Sequence, residues 1–140
     1  MSLLAIDIET YSDIDLVKSG VYRYAESENF QVLLFGYAYD DGPVKVIDLA
    51  QGEEIPRMVW EDLFDPAIIK TAFNANFERV CLAKYFGQAM PPEQWQCTMV
   101  QALTLGLPMS LADVSKTLKL PADKQKMSEG KALIRYFCVP

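Results

Sequence analysis

Hydrophobic and polar positions alternate from the start of the chain. In Leu4-Ala5-Ile6-Asp7-Ile8-Glu9-Thr10 an extended backbone places Leu4, Ile6 and Ile8 on one face and Ala5, Asp7 and Glu9 on the other. The next stretch, residues 11–29, is polar and irregular, and its short apolar groups at Ile14, Leu16, Val17, Val21, Tyr22 and Tyr24 predict a turn and one or two short helices. Residues 30–39 are aromatic and apolar and end at Asp40-Asp41-Gly42-Pro43. Residues 44–49 alternate again, so the two runs read as a β-hairpin that joins the first strand in a meander.

Beyond Pro56 the period becomes helical, with Met58, Val59, Leu63 and Phe64 on one stripe and Asp65-Pro66 as the stop. Ile68 to Phe73 is a short buried strand, expected to run parallel to the first because a helix precedes it. Asn76 is the expected cap of a helix with apolar positions Phe77, Cys81, Leu82, Tyr85 and Phe86, ended by Gly87. Residues 95–97 predict a fifth strand, 98–105 and 110–120 two helices, and 131–137 the start of another. The pattern is an α/β domain with a mixed sheet.

With 140 residues, half of them hydrophobic, the chain has the content of one domain with one core. It has neither a stretch as long as a membrane span nor the features of a signal peptide, which gives the expectation of a soluble, cytoplasmic protein with no membrane partner. Cys81, Cys97 and Cys138 are odd in number and have no two-residue spacing. They therefore suggest neither a disulfide framework nor a zinc knuckle. The chain contains no histidine, which excludes a Ser-His-Asp triad, a Cys-His pair and a histidine general base. The net charge of −6 is the wrong sign for gripping nucleic acid by bulk electrostatics.

Asp7 and Glu9 share one strand face, about 6.6 Å apart at the usual rise. Two anions at that distance repel by on the order of 2 kcal/mol at an effective dielectric near 20, and a divalent cation would turn the repulsion into a binding site. The second chemical stretch is Phe73-Asn74-Ala75-Asn76-Phe77-Glu78, at a strand-to-helix junction of the kind where open α/β sheets place ligands. Glu78 falls in the first helical turn, where the helix dipole favours an anion; by itself it is simply an acidic helix start.

Residues 5–10 resemble the first motif of the DEDD, or DnaQ-like, 3′→5′ exonucleases, and Asn74-Ala75-Asn76-Phe77-Glu78 resembles the second, with Glu78 where that family usually has Asp. Residues 20–26, 71–82, 94–107 and 130–137 extend the likeness to the N-terminal proofreading segment of phage and prophage family A DNA polymerases. The resemblance implies a ribonuclease-H-like fold: an α/β domain with a five-stranded mixed sheet of order 3-2-1-4-5, strand 2 antiparallel, flanked by helices. It also implies hydrolysis of the terminal phosphodiester at a single-stranded DNA 3′ end with two divalent cations, Mg²⁺ or Mn²⁺. Asp7 would bridge both cations, Glu9 would bind the first and orient the water, and Glu78 would serve the second. Thr10 through its backbone N–H, Asn74 and Phe77 would hold the terminal nucleotide. For Phe77, core packing at helical spacing is an equal alternative.

The family's third motif, Tyr-x-x-x-Asp or His-x-x-x-x-Asp on a late helix, has no match. Tyr136 is followed at the right offset by Pro140, and Asp113 and Asp123 lack the pattern. The resemblance therefore implies a single domain over residues 1–140 that is incomplete at its C-terminus, weak or inactive alone, and partnered with the rest of a polymerase in cis or trans. The alternative is a non-catalytic docking module, with a homodimer through the uncovered C-terminal face.

Overall fold

The structure is a computed structural model and describes residues 2–127 and 129–140. Strand β1 (Leu3–Tyr11) lies at the centre of a five-stranded sheet with β2 (Gln31–Tyr39), β3 (Lys45–Asp48), β4 (Ile69–Ala72) and β5 (Trp95–Cys97). The order is β3-β2-β1-β4-β5. Strand β2 is antiparallel to both its neighbours, while β1, β4 and β5 run parallel. Order and polarity are those that the resemblance implies, and the period-two pattern of β1 is realised: Leu4, Ile6 and Ile8 are buried, whereas Ala5 and Asp7 are exposed.

Helices α1 (Leu16–Glu26), α2 (Arg57–Phe64) and α3 (Ala75–Phe86) contribute Tyr24, Ala25, Val59, Leu63, Val80, Cys81 and Leu82 to a core shared with Leu4, Ile6, Ile8, Val32, Phe35 and Tyr37. Asp15 caps α1 by accepting from the Lys18 backbone N–H at 3.0 Å, and Gly20, at φ +81°, divides α1 into two short helices. Tyr39 ties β2 to α2 by donating to Asp62 at 2.5 Å. Three further helices follow: α4 (Thr98–Thr104), α5 (Leu111–Thr117) and α6 (Glu129–Phe137).

Two expectations for α3 need correcting. The cap is Asn74, not Asn76; Asn76 lies inside the helix, where its side-chain oxygen accepts from Arg79. Asn74 sits at φ 67° and ψ 56°, a left-handed conformation that Asn tolerates better than most residues and that helps turn the chain from β4 into α3 across only two residues. Tyr85 is exposed, its ring edge-on to Phe86 at 5.0 Å, and Val80 takes the core position instead.

Lys70 lies in β4 with no exposed surface. Its ammonium donates to the Asp65 and Ile68 carbonyls and to the Gln94 side chain at 2.8, 3.0 and 3.1 Å, so each of its three protons has an acceptor. Among the described residues no helix is long and apolar enough to cross a membrane.

Candidate active site

The sheet opens beside the second half of β1. Pairing with β4 covers only Leu3, Leu4 and Ala5, so from Ile6 onward the edge of β1 facing β4 is free. Strand β4 ends at Ala72, the left-handed Asn74 reverses the chain, and α3 starts alongside that free edge. The junction therefore brings Phe77 and Glu78 toward Asp7, Glu9 and Thr10. On the other side, Asp7 pairs with Gly36, which has no side chain to occupy the space beside the carboxylate.

Asp7 and Glu9 stand on the face of β1 away from the core. Partial loss of water raises the Asp7 carboxyl above its ordinary range, against a hydrogen bond from the Ile8 N–H and the charge of Lys126, which lower it. Glu9 is raised first by burial and then by the charge of Asp7, while Lys126 again opposes. Glu78 is the most perturbed of the three. It is only 4% exposed, its Oε2 has no hydrogen-bond partner, and burial, followed by the charges of Asp7, Cys97 and Glu9, pushes its carboxyl up to about 8. Burial dominates over the hydrogen bond from its own N–H, so at neutral pH the group holds a proton.

Among the described residues no three acidic, cysteine or histidine side chains form a ready-made metal cage. Asp7, Glu9 and Glu78 sense one another's charge without converging on one point. Three carboxylates without a cation repel, and the proton held by Glu78 relieves part of that repulsion. The donor set nevertheless consists of hard oxygens, and the unpartnered Oε2 is a buried acceptor that lacks a hydrogen-bond donor.

Thr10 is buried, and its hydroxyl shares a 2.8 Å hydrogen bond with the Tyr24 hydroxyl. A register shift between Glu9 and Thr10 in the pairing with β2 lets Val32, rather than Leu33, oppose Thr10. Phe77 is half-buried, with its ring 5.9 Å from that of Tyr24, and it also lines a cleft of about 510 Å³. Phe77 therefore packs against the core, as helical spacing predicts, and also lines the cleft. Asn74 is exposed at the junction.

The cleft also contains residues that motif reading did not single out. Ile14, Leu16 and Tyr24 line it beside Glu9 and Thr10, and so do Ile134 from the last helix and Cys138 just past it. Burial raises the Cys138 thiol, which faces the Thr10 backbone N–H. Cys97 lies where α3 and α4 both begin. It accepts from the Ala75 N–H at 3.4 Å, and backbone N–H groups of Asn74, Ala75, Met99 and Val100 lower its thiol although partial burial opposes them.

The architecture recurs in solved nucleases. A nuclease in its apo form aligns over 90% of this chain and 56% of its own, with 24% identity and a TM-score of 0.62. Brucella melitensis NrnC with bound Mg²⁺ gives 23% identity, 90% and 56% coverage and a TM-score of 0.61. Escherichia coli RNase D, an exoribonuclease, gives 20% identity, 92% and 30% coverage and a TM-score of 0.60. The fold is that of the DnaQ-like exonucleases, as the sequence resemblance implies. No protein-family model matches the chain. In sequence, the chain is homologous to part of the DNA polymerase of Bacillus phage SP02, with 58% identity over all 140 residues. It spans 21% of that polymerase's length.

Proposed function

We propose that this chain is the 3′→5′ exonuclease domain of a phage-type DNA polymerase, which hydrolyses the terminal phosphodiester at a single-stranded DNA 3′ end and so removes misincorporated nucleotides. The observation that carries the reading is Glu78, a buried carboxyl whose Oε2 has no hydrogen-bond partner, within electrostatic reach of Asp7 and Glu9 at the open edge of β1. A merely structural acid at that position would be expected to have a hydrogen-bond donor. Bound Mg²⁺ in NrnC supports divalent-metal chemistry in this fold, and the polymerase homologue favours DNA over RNA as substrate.

On this reading Asp7, Glu9 and Glu78 hold two divalent cations, Mg²⁺ or Mn²⁺. When bound, the cations supply an activated water and neutralise charge on the phosphate and the leaving 3′ oxygen. Glu9 orients the attacking water. Thr10, through its N–H, and Asn74 position the terminal nucleotide, and Phe77 packs against it from the cleft wall. Glu78 would have to give up its proton to serve as a ligand. The fourth carboxylate of the family comes from the remainder of the polymerase, in cis or in trans. Asp113 does not supply it, because it is exposed at the start of α5 and accepts from Ser110.

The test is release of 3′ nucleotides from a 5′-labelled single strand in Mn²⁺, paired with thermal unfolding with and without Mn²⁺. Wild type should be stabilised by the metal and trim the strand from its 3′ end, slowly without its fourth carboxylate, whereas Asp7→Ala should do neither. Equal behaviour of the two proteins in both assays sinks the proposal. A second reading, a non-catalytic docking module, is favoured by one feature of α6: Leu133 and Phe137, one helical turn apart, are 56% and 60% exposed. That face fits the remainder of a polymerase or a second copy of the chain, and sedimentation as a clean monomer would remove the second copy.

A further inference from the structure

The net charge of −6 conceals a strong segregation. Residues 1–115 hold seven of the 13 cations and 17 of the 19 acids, a balance of −10, whereas residues 116–140 hold six cations and two acids, a balance of +4. All six cations, Lys116, Lys119, Lys124, Lys126, Lys131 and Arg135, are exposed. None of their side chains makes a hydrogen bond or close ion pair among the described residues, where Arg57–Glu61 is the one salt bridge found.

One of these cations lies within electrostatic reach of the candidate site, and two more lie on the helix that borders its cleft. Lys126 acts electrostatically on both Asp7 and Glu9 from beyond ion-pair distance. Lys131, Ile134 and Arg135 on α6 and Cys138 just past its end follow the spacing i, i+3, i+4, i+7, and the Cys138 N–H still donates to the Ile134 carbonyl at 2.8 Å, which places them on one stripe. Ile134 and Cys138 line the cleft that also holds Glu9, Thr10 and Phe77, and the helical spacing puts Lys131 and Arg135 on the adjoining side of α6. Leu133 and Phe137 fall on a different side of the helix, so the cationic stripe and the apolar docking face do not compete.

We infer that Lys126, Lys131 and Arg135 form a cationic rim that grips the phosphodiester backbone of single-stranded DNA and leads its 3′ end to Asp7 and Glu9. The inference rests on the exonuclease reading and adds to it the surface that binds the strand. A site built of carboxylates repels a polyanion before its cations are loaded, and a local strip of fixed positive charge offsets that repulsion where it is strongest. Free, exposed cations suit this purpose, because a salt-bridged lysine would have to give up one partner to bind another.

The experiment measures binding without catalysis. The anisotropy of a fluorescein-labelled 12-mer oligothymidylate is titrated in EDTA between 50 and 200 mM NaCl, for wild type and for the combined variant Lys126→Ala, Lys131→Ala, Arg135→Ala. Three phosphate contacts correspond to a slope of log affinity against log salt of about −2 for a single strand. Wild type should show that slope. The variant should lose most of it and bind at least about tenfold more weakly at 50 mM, with unchanged circular dichroism and melting temperature. Lys116→Ala with Lys119→Ala, on and just after α5, should bind as wild type does. Equal slopes and affinities for wild type and the rim variant overturn the inference, as does an equal loss in the α5 control or no binding by wild type at 50 mM. Because no metal is present, these outcomes are separate from those of the Mn²⁺ assays, which test Asp7, Glu9 and Glu78.

Discussion

Glu78 makes the stability of the metal-free protein depend on pH in a definite direction. Its carboxyl has a value of 4.5 when unperturbed and is pushed up to about 8 by burial in the fold. Between those two values the folded protein holds a proton that the unfolded chain has released, so folding is disfavoured as pH rises. The contribution is fully present below pH 4.5 and lost as pH climbs to about 8, at about 1.4 kcal/mol per pH unit. From pH 5 to pH 8 the loss is on the order of 3 to 4 kcal/mol. Glu78→Gln keeps the shape and removes the titration. Asp7 and Glu9 are also raised and act in the same direction, but they are common to both proteins, so the difference between wild type and variant isolates Glu78. The assay is thermal unfolding followed by circular dichroism in EDTA, at half-unit steps from pH 5 to pH 9. Relative to wild type, the melting temperature of Glu78→Gln should rise by roughly 10 °C between pH 5 and pH 8, at about 3 °C per kcal/mol for a chain of this size. The offset at pH 5 is not diagnostic, because the Gln amide adds a buried donor of its own. In Mn²⁺ the wild-type slope should flatten, because metal loading removes the same proton. Parallel melting curves in EDTA would refute the burial argument for Glu78.

Three further outcomes follow from the geometry. Asp7→Asn should melt a few degrees higher than wild type without metal, because a repulsion of on the order of 1 to 2 kcal/mol is removed, and should show no further rise with Mg²⁺ or Mn²⁺; a lower melting point together with wild-type metal protection would mean that the carboxylates do not share a cation. Lys70→Met should lose on the order of 2 to 4 kcal/mol in urea unfolding, since two part-buried carbonyls and the Gln94 side chain lose their donor; an unchanged midpoint would show that the ammonium does not hold the β4 entry loop. Maleimide labelling at pH 7.5, read by peptide mass mapping, should modify Cys97 first, because its thiol is lowered by four backbone N–H groups, and Cys81 only on unfolding, because burial pushes it up to about 12. Labelling of Cys81 before Cys97 in the folded protein would contradict that order.

The fold was legible where periodicity is local. The alternation in residues 4–10 sets which face of β1 is buried, and a helical stretch before Ile68 requires the parallel pairing that places β4 beside β1. The Asn-Ala-Asn stretch is where local reading failed. Either Asn has the chemistry of a cap, and the choice is made by the left-handed backbone at Asn74, which depends on where β4 ends against β1. Lys70 was equally opaque, because the acceptors that let a lysine occupy a core position come from the Asp65–Ile68 loop and, farther along the chain, from Gln94.

The acidic side of the candidate site shows in short motifs because a strand and a helix start each present their carboxylates within a few residues. Its cationic side is dispersed. Lys126 follows a short loop after α5, and Lys131 and Arg135 gain meaning only because Ile134 on α6 and Cys138 just past it, interleaved with them, line the cleft beside Glu9. Summed over the chain, these cations are outnumbered and the total argues against nucleic acid. In the fold Lys126 acts on Asp7 and Glu9, and Lys131 and Arg135 lie on the helix that borders the cleft, where an approaching phosphate backbone would otherwise meet carboxyl groups. A net charge measures solubility and long-range steering; contact with a polyanion depends on where the few uncompensated cations stand.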